Sequence, residues 1–194
     1  SWTAGQQLDG DDVNVRLVAG GIDRSGRMTA VYVKNTGGVG GTSALYATRG
    51  TPGAKTDVPV WTAPVRIDTA QTAFFVSYLH TSQSLSVAVS PAGNVHAAWV
   101  SQAPCTSTTY SVSGSCAYIY SATLSANSNT WSAPVLVGDT PDGSFSDGPG
   151  TGTVIAYIND RGDAVVTLAR GDARSQLGRQ GPGRPAAQRQ QASQ

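Results

Sequence analysis

Three stretches of the chain share one pattern: an apolar run, a turn that ends in glycine, and a second apolar run. They span residues 17–33, 85–100 and 153–169. Each turn opens on Asp, Ser or Asn and closes on Gly26, Gly93 or Gly162. Asp, Asn and Ser side chains bond the local backbone, and glycine tolerates a positive φ, as tight hairpins require. The pattern therefore predicts three β-hairpins.

Two of these units continue with a second pair of segments. A run that contains Tyr46 or Tyr120 is followed by Trp-Thr-Ala-Pro at 61–64 or by Trp-Ser-Ala-Pro at 131–134. Each full unit therefore provides four short strands, and a repeat of four antiparallel strands is the blade of a β-propeller. We expect the tryptophans to pack between neighbouring blades, because each buries on the order of 200 Å².

The repeat is incomplete at both ends of the sequence. Residues 1–9 look like the end of an earlier unit, with Trp2 in the place of Trp61, and the third unit stops after Ala169. The predicted fold is therefore all-β: an incomplete β-propeller of four-stranded antiparallel blades, with about two complete blades and a partial blade at each end.

Composition fits short strands joined by many turns, since 23 residues are glycine and only 13% are charged. Residues 171–194 are basic and rich in Gln, Arg, Pro and Gly, with almost no apolar content. We expect residues 1–170 to form the repeat domain and residues 171–194 to be a disordered tail. The mildly acidic body gives no reason to expect a nucleic acid partner, and no apolar run is long enough for a membrane span.

The two cysteines, Cys105 and Cys116, lie in a stretch rich in Ser, Thr, Tyr and Gly. Such a pair could form a disulfide across a hairpin loop, and two free thiols are the alternative. The disulfide, which we predict, would place the protein in an oxidising compartment: secreted, periplasmic or at the cell surface.

The segment Ser-Ala-Asn-Ser-Asn-Thr-Trp at residues 125–131 resembles an Asp box, S-x-D-x-G-x-T-W. It keeps the serine, threonine and tryptophan of that box but has Asn127 and Asn129 where the Asp and the Gly belong. With the blade pattern, this makes residues 1–169 similar to the BNR or Asp-box repeats of sialidase-type propellers. Asp boxes are structural turns, so the resemblance implies the fold more strongly than any activity.

Sialidase activity is the catalysis that the resemblance implies, through an arginine cluster, a tyrosine nucleophile, an activating glutamate and an aspartic acid. The chain contains no glutamate, so it cannot supply that site alone. His80 and His96 lack the G-x-S-x-G elbow that would indicate a serine hydrolase. The sequence shows no clustered metal ligands. We therefore expect a protein that is not an enzyme and has no metal or cofactor, and the sequence identifies no catalytic or ligand-binding residue.

Three functions remain open. The first is a secreted, non-catalytic module that binds a carbohydrate or another extracellular ligand, or acts as a scaffold, with its site in loops and inter-blade grooves. The second is a fragment of a sialidase-like glycoside hydrolase whose catalytic residues lie elsewhere. The third is a partial propeller that self-associates through its open blade edges.

Overall fold

A computed structural model gives the structure of the chain. It describes residues 8, 15–35, 43–53, 58–68, 85–104, 115–140, 153–169 and 176–180. These residues form twelve β-strands, which pair antiparallel within three sheets, and within these ranges there is no helix. The prediction of an all-β, antiparallel protein is confirmed, and no sheet among the described residues closes into a barrel.

The first sheet follows the chain order. Its strands are β1 (Val15–Ile22), β2 (Met28–Asn35), β3 (Ser43–Thr51), β4 (Val60–Trp61) and β5 (Val65–Arg66). Strands β4 and β5 both pair with β3, on either side of Thr62-Ala63-Pro64. Proline cannot donate a ladder hydrogen bond, which accounts for the break at this point. The two short strands therefore act as halves of one fourth strand.

The second sheet has four strands in sequence order. They are β6 (Leu85–Val89), β7 (Val95–Pro104), β8 (Ser115–Leu124) and β9 (Val135–Thr140). Trp99 on β7 lies opposite Tyr120 on β8, with ring centroids 6.3 Å apart. In the first sheet, Tyr32 lies opposite Tyr46 at 6.2 Å. The repeat read from the sequence thus places equivalent aromatic pairs at equivalent points of two sheets.

The third sheet contains β10 (Thr153–Ile158), β11 (Ala164–Ala169) and β12 (Gln176–Gln180). Strand β12 lies inside the segment that the sequence predicts to be disordered, and the structure differs from that prediction here. The free edge of β11 offers backbone N–H and C=O groups, which pair with any extended segment whatever its side chains. The rest of residues 171–194 lies outside the described residues.

Two apolar clusters join the sheets. The cluster between the first and second sheets contains Trp99, which is 1% exposed, and Trp131 packs against its margin. The cluster between the second and third sheets contains Ala98 and Val100 from the same strand, β7. Successive side chains of a strand point to opposite faces, so β7 contributes to both clusters and the second sheet is buried on both sides.

The first strands of the three sheets lie side by side in chain order, with β6 between β1 and β10. The hairpin turns of the three sheets meet at one end. Arg24 N donates to Pro91 O at 3.0 Å, and Ala92 N donates to Asp160 Oδ1 at 2.8 Å. We call this the turn end. The opposite end, where β2, β5, β7 and β9 finish, is the loop end, and the connections that follow those strands lie outside the described residues.

Candidate functional site

At the turn end, the carboxylate of Asp23 organises its own hairpin. Its Oδ1 accepts hydrogen bonds from Ser25 N at 2.8 Å, Ser25 Oγ at 2.6 Å and Arg27 N at 3.0 Å. Its Oδ2 accepts from Arg27 Nε at 2.6 Å. Burial of Asp23 opposes its ionisation, but the hydrogen bonds from Ser25 and Arg27 outweigh this effect and lower its pKa to about 2. Asp23 is therefore a structural anion.

Two arginines of the first sheet hold the turns of the second. Arg27 Nη1 donates to Ala126 O at 3.0 Å. Arg49 donates to Gly93 O at 2.6 Å through Nη2 and to Ser128 O at 3.2 Å through Nη1. Burial lowers the pKa of Arg49, and the charge of Arg27 lowers it further. We call Asp23, Arg27 and Arg49 the turn-end clamp; its donors are committed to backbone carbonyls.

The Asp-box-like segment supplies part of what the clamp binds. It lies between β8 and β9 and turns on a hydrogen bond from Ser128 N to Ser125 O at 3.0 Å. Ala126 N donates to Asn94 Oδ1 at 2.9 Å, and Ala126 O accepts from Arg27. The segment therefore connects a turn of its own sheet to the neighbouring sheet, which is a structural role.

The Trp-Thr/Ser-Ala-Pro segments share a hydrogen-bonding device that the sequence analysis did not recognise. Thr62 N donates to Arg49 O at 2.8 Å, and Thr62 Oγ1 accepts from Arg49 N at 3.0 Å. Ser132 makes the same pair of bonds with Thr123, at 2.8 and 3.0 Å. The hydroxyl replaces the ladder carbonyl at the break before the proline. The hydroxyl shared by Thr62 and Ser132 was the sequence signal that could have revealed it.

Near the loop end of the first sheet, charged and aromatic side chains come together. Lys34 Nζ lies 5.6 Å from the centroid of the Tyr46 ring, and that ring stacks on Tyr32. Arg66 is the register partner of Tyr46 across β3 and β5, and its Nε lies 2.6 Å from Asp68 Oδ1. We call Lys34, Tyr46, Arg66 and Asp68 the loop-end cluster.

The pair of Arg66 and Asp68 is asymmetric. The side chain of Asp68 is buried, and its Oδ2 has no hydrogen-bond partner in the part of the chain that is described. The side chain of Arg66 is 45% exposed, and its hydrogen bond to Asp68 raises its pKa. A buried carboxylate oxygen without a donor is costly, so this oxygen is a site for an incoming N–H or O–H group. The cluster thus offers an acceptor, cations and an aromatic ring.

The residues singled out in the sequence fall mostly elsewhere. Cys105 and His80 lie outside the described residues. Cys116 lies on β8 opposite Ala103, and its disulfide with Cys105 stays a prediction. The ring of His96 is buried between the second and third sheets, where Nδ1 lies 3.0 Å from Tyr157 O. Burial lowers the pKa of His96, and its bond to that carbonyl opposes the shift only in part.

Among the described residues, no group of three or more His, Cys, Asp or Glu side chains is placed to hold a metal ion. The described part of the chain also has no helix that is long and apolar enough to cross a membrane. A scan against protein-family models finds no match for the chain, and a search of curated proteins finds no significant one.

Proposed function

We propose that this chain is a secreted, non-catalytic, propeller-type module that binds a carbohydrate at the loop-end cluster of its first sheet. The supporting observation is that the ring of Tyr46 lies beside the pair formed by Arg66 and Asp68, whose buried Oδ2 lacks a donor. A sugar presents hydroxyl donors and an apolar ring face. Those groups match an unpaired carboxylate oxygen and an aromatic side chain, respectively.

The arrangement of the sheets supports the propeller-type part of the proposal. The meanders follow one another in chain order, and β6 lies between β1 and β10, as the innermost strands of successive blades would. Ligand sites on such scaffolds form where connections gather at one end of rigid elements. The turn end is occupied by the clamp of Asp23, Arg27 and Arg49, which leaves the loop end for binding.

A glycan array probed with the purified chain tests the proposal, with neutral and sialylated oligosaccharides as the probes. We expect binding to a subset of glycans and at least a tenfold loss of affinity in Arg66→Ala, because a charge-assisted hydrogen bond contributes about 1.5–3 kcal/mol. Arg24→Ala is the matched control, since Arg24 is exposed at the turn end. Absence of binding, or equal affinity of Arg66→Ala and the unmodified chain, would overturn the proposal.

Two further measurements address the other parts of the proposal. Turnover of a fluorogenic sialoside by the purified chain would contradict a non-catalytic role and favour the sialidase-like alternative. Mass spectrometry with and without reduction tests the disulfide between Cys105 and Cys116. A mass increase of two protons on reduction is the result expected for a protein of an oxidising compartment.

A further inference from the structure

The outer face of the first sheet exposes apolar side chains on its first strand. Val18 is 68% exposed and Ile22 is 61% exposed. At the far side of the third sheet, Tyr157 on β10 is 52% exposed. Isolated exposed apolar residues are ordinary, but these lie at positions that the repeat defines as contacts between sheets.

The repeat shows what normally covers the position of Val18. Val18, Leu85 and Val154 each lie eight residues before the glycine of their hairpin turn. Leu85 is buried in the cluster between the first and second sheets, and Val154 in the cluster between the second and third. In both places the preceding sheet supplies the cover. The face of the first sheet that carries Val18 is therefore a receiving face without its sheet.

The same comparison applies to the opposite side of the array. Gly21, Ala88 and Tyr157 each lie five residues before the turn glycine. A Cβ built on Gly21 would touch the side chain of Val89 on the second sheet, and Ala88 packs against the cluster shared with the third sheet. Tyr157, at the same position of the third sheet, remains more than half exposed. The third sheet thus presents the face that is complementary to the receiving face.

We propose that the third sheet of a second copy of this chain docks on the exposed face of the first sheet. The contact repeats an interface that the chain already forms twice within itself, between its first and second and its second and third sheets. It is head to tail, so two copies make it reciprocally and close a ring of six sheets. Propellers of about four to eight blades are the known range. The inference rests on the propeller-type stacking and not on carbohydrate binding.

Charge at the turns favours this occupant. The residue after the turn glycine donates to the next turn in the first two sheets: Arg27 Nη2 reaches Ala92 O at 3.4 Å, and Asn94 Nδ2 reaches Asp160 O at 3.0 Å. The third sheet has an aspartate, Asp163, at this position. A carboxylate there requires a donor from the sheet that follows. The first sheet carries one on its turn, because the side chain of Arg24 is exposed.

Sedimentation velocity of the full chain tests the proposal. At about 100 μM, where an interface of standard size is saturated, we expect a dimer. Val18→Asp and Tyr157→Asp each place a charge in both reciprocal contacts, and each should give a monomer with an unchanged circular dichroism spectrum. Val60→Asp is the matched control, since Val60 is equally exposed but lies on β4, away from the first strand, and it should remain a dimer.

A mixture of the two interface variants provides a second readout. Val18→Asp keeps an intact third sheet and Tyr157→Asp keeps an intact receiving face, so a mixture should recover a dimer through one intact contact. A symmetric interface would not give this recovery. A monomeric unmodified chain, a dimer that survives both substitutions or is lost in Val60→Asp, or failure of the mixture to recover would each overturn the proposal. Glycan binding by a monomer would show that only this inference fails.

Discussion

Arg49 on β3 of the first sheet donates a 2.6 Å hydrogen bond to the carbonyl oxygen of Gly93, in the hairpin turn of the second sheet. The two residues are separated by 44 positions in the chain. With the bond of Arg49 to Ser128, this contact holds two turns of one sheet against the edge of its neighbour. The turn end is thereby fixed, which leaves connections at the loop end as the variable part of the molecule.

Replacing Arg49 by alanine should lower the free energy of unfolding by about 2–4 kcal/mol, because the partly buried carbonyls of Gly93 and Ser128 would lose a charged donor. Urea denaturation followed by tryptophan fluorescence measures the change. Arg24→Ala, which removes an exposed side chain from the same end, should change stability by less than about 0.5 kcal/mol. Equal effects of the two substitutions would show that Arg49 has no clamping role.

Two turn glycines with similar backbones should respond differently to alanine. Gly93 and Gly162 have φ angles of 94° and 84°, so alanine is strained by roughly 1 kcal/mol at both. A Cβ on Gly93 would in addition collide with the side chains of Asp23 and Arg27, whereas on Gly162 its nearest neighbour is Asn94 Nδ2 at 4.0 Å. We expect Gly93→Ala to lower the melting temperature clearly more than Gly162→Ala. The reverse order would contradict the close packing of the turns.

Acid should destabilise the turn end through Asp23. Its pKa is about 2 in the folded chain against 3.8 for the ordinary group, so the unfolded chain binds the proton first as the pH falls. The stabilisation of about 2 kcal/mol is present above roughly pH 4 and is lost as the pH falls toward 2. Urea midpoints at pH 5 and pH 2 measure it. Asp23→Asn should be less stable at pH 5 and should lose less on acidification; an identical pH dependence would refute the role of Asp23.

His96 should make the interface between the second and third sheets sensitive to milder acid. Its pKa is lowered by burial, so the neutral ring is the folded form and the unfolded chain takes up the proton first. Stability is complete above about pH 6.5 and declines as the pH falls below that value. His96→Asn should flatten the dependence between about pH 6.5 and 5. His80 is present in both proteins and cancels in this comparison, so an unchanged slope would exclude His96 as its source.

The parts of the fold that the sequence predicts are those set by local chemistry. The turns at Gly26, Gly93 and Gly162 follow from glycine spacing, and all three adopt positive φ. Alternation then predicts the strands on either side. Strand β12 was missed because edge pairing depends on the free backbone of β11 and not on the side chains of the tail.

The candidate site could not be predicted in the same way. Tyr46 and Arg66 become neighbours only through the pairing of β3 with β5, which resumes after the break at Pro64. The value of Asp68 as an acceptor depends on its burial, which no periodicity of the sequence reports. Likewise, Arg49 reads as an ordinary strand residue until the second sheet is placed beside it. Register and stacking between sheets, not local pattern, create these sites.

The stacking of the three sheets in chain order is tested most directly by cross-linking cysteines at the turn end, in a background of Cys105→Ser and Cys116→Ser. Arg24 N lies 3.0 Å from Pro91 O, and Ala92 N lies 2.8 Å from Asp160 Oδ1. A short thiol-reactive cross-linker should therefore join Arg24→Cys to Pro91→Cys and Ala92→Cys to Asp160→Cys within one chain, as peptide mass spectrometry would show. Efficient linkage of Arg24→Cys to Asp160→Cys, with none in the two neighbouring pairs, would contradict this order of the sheets.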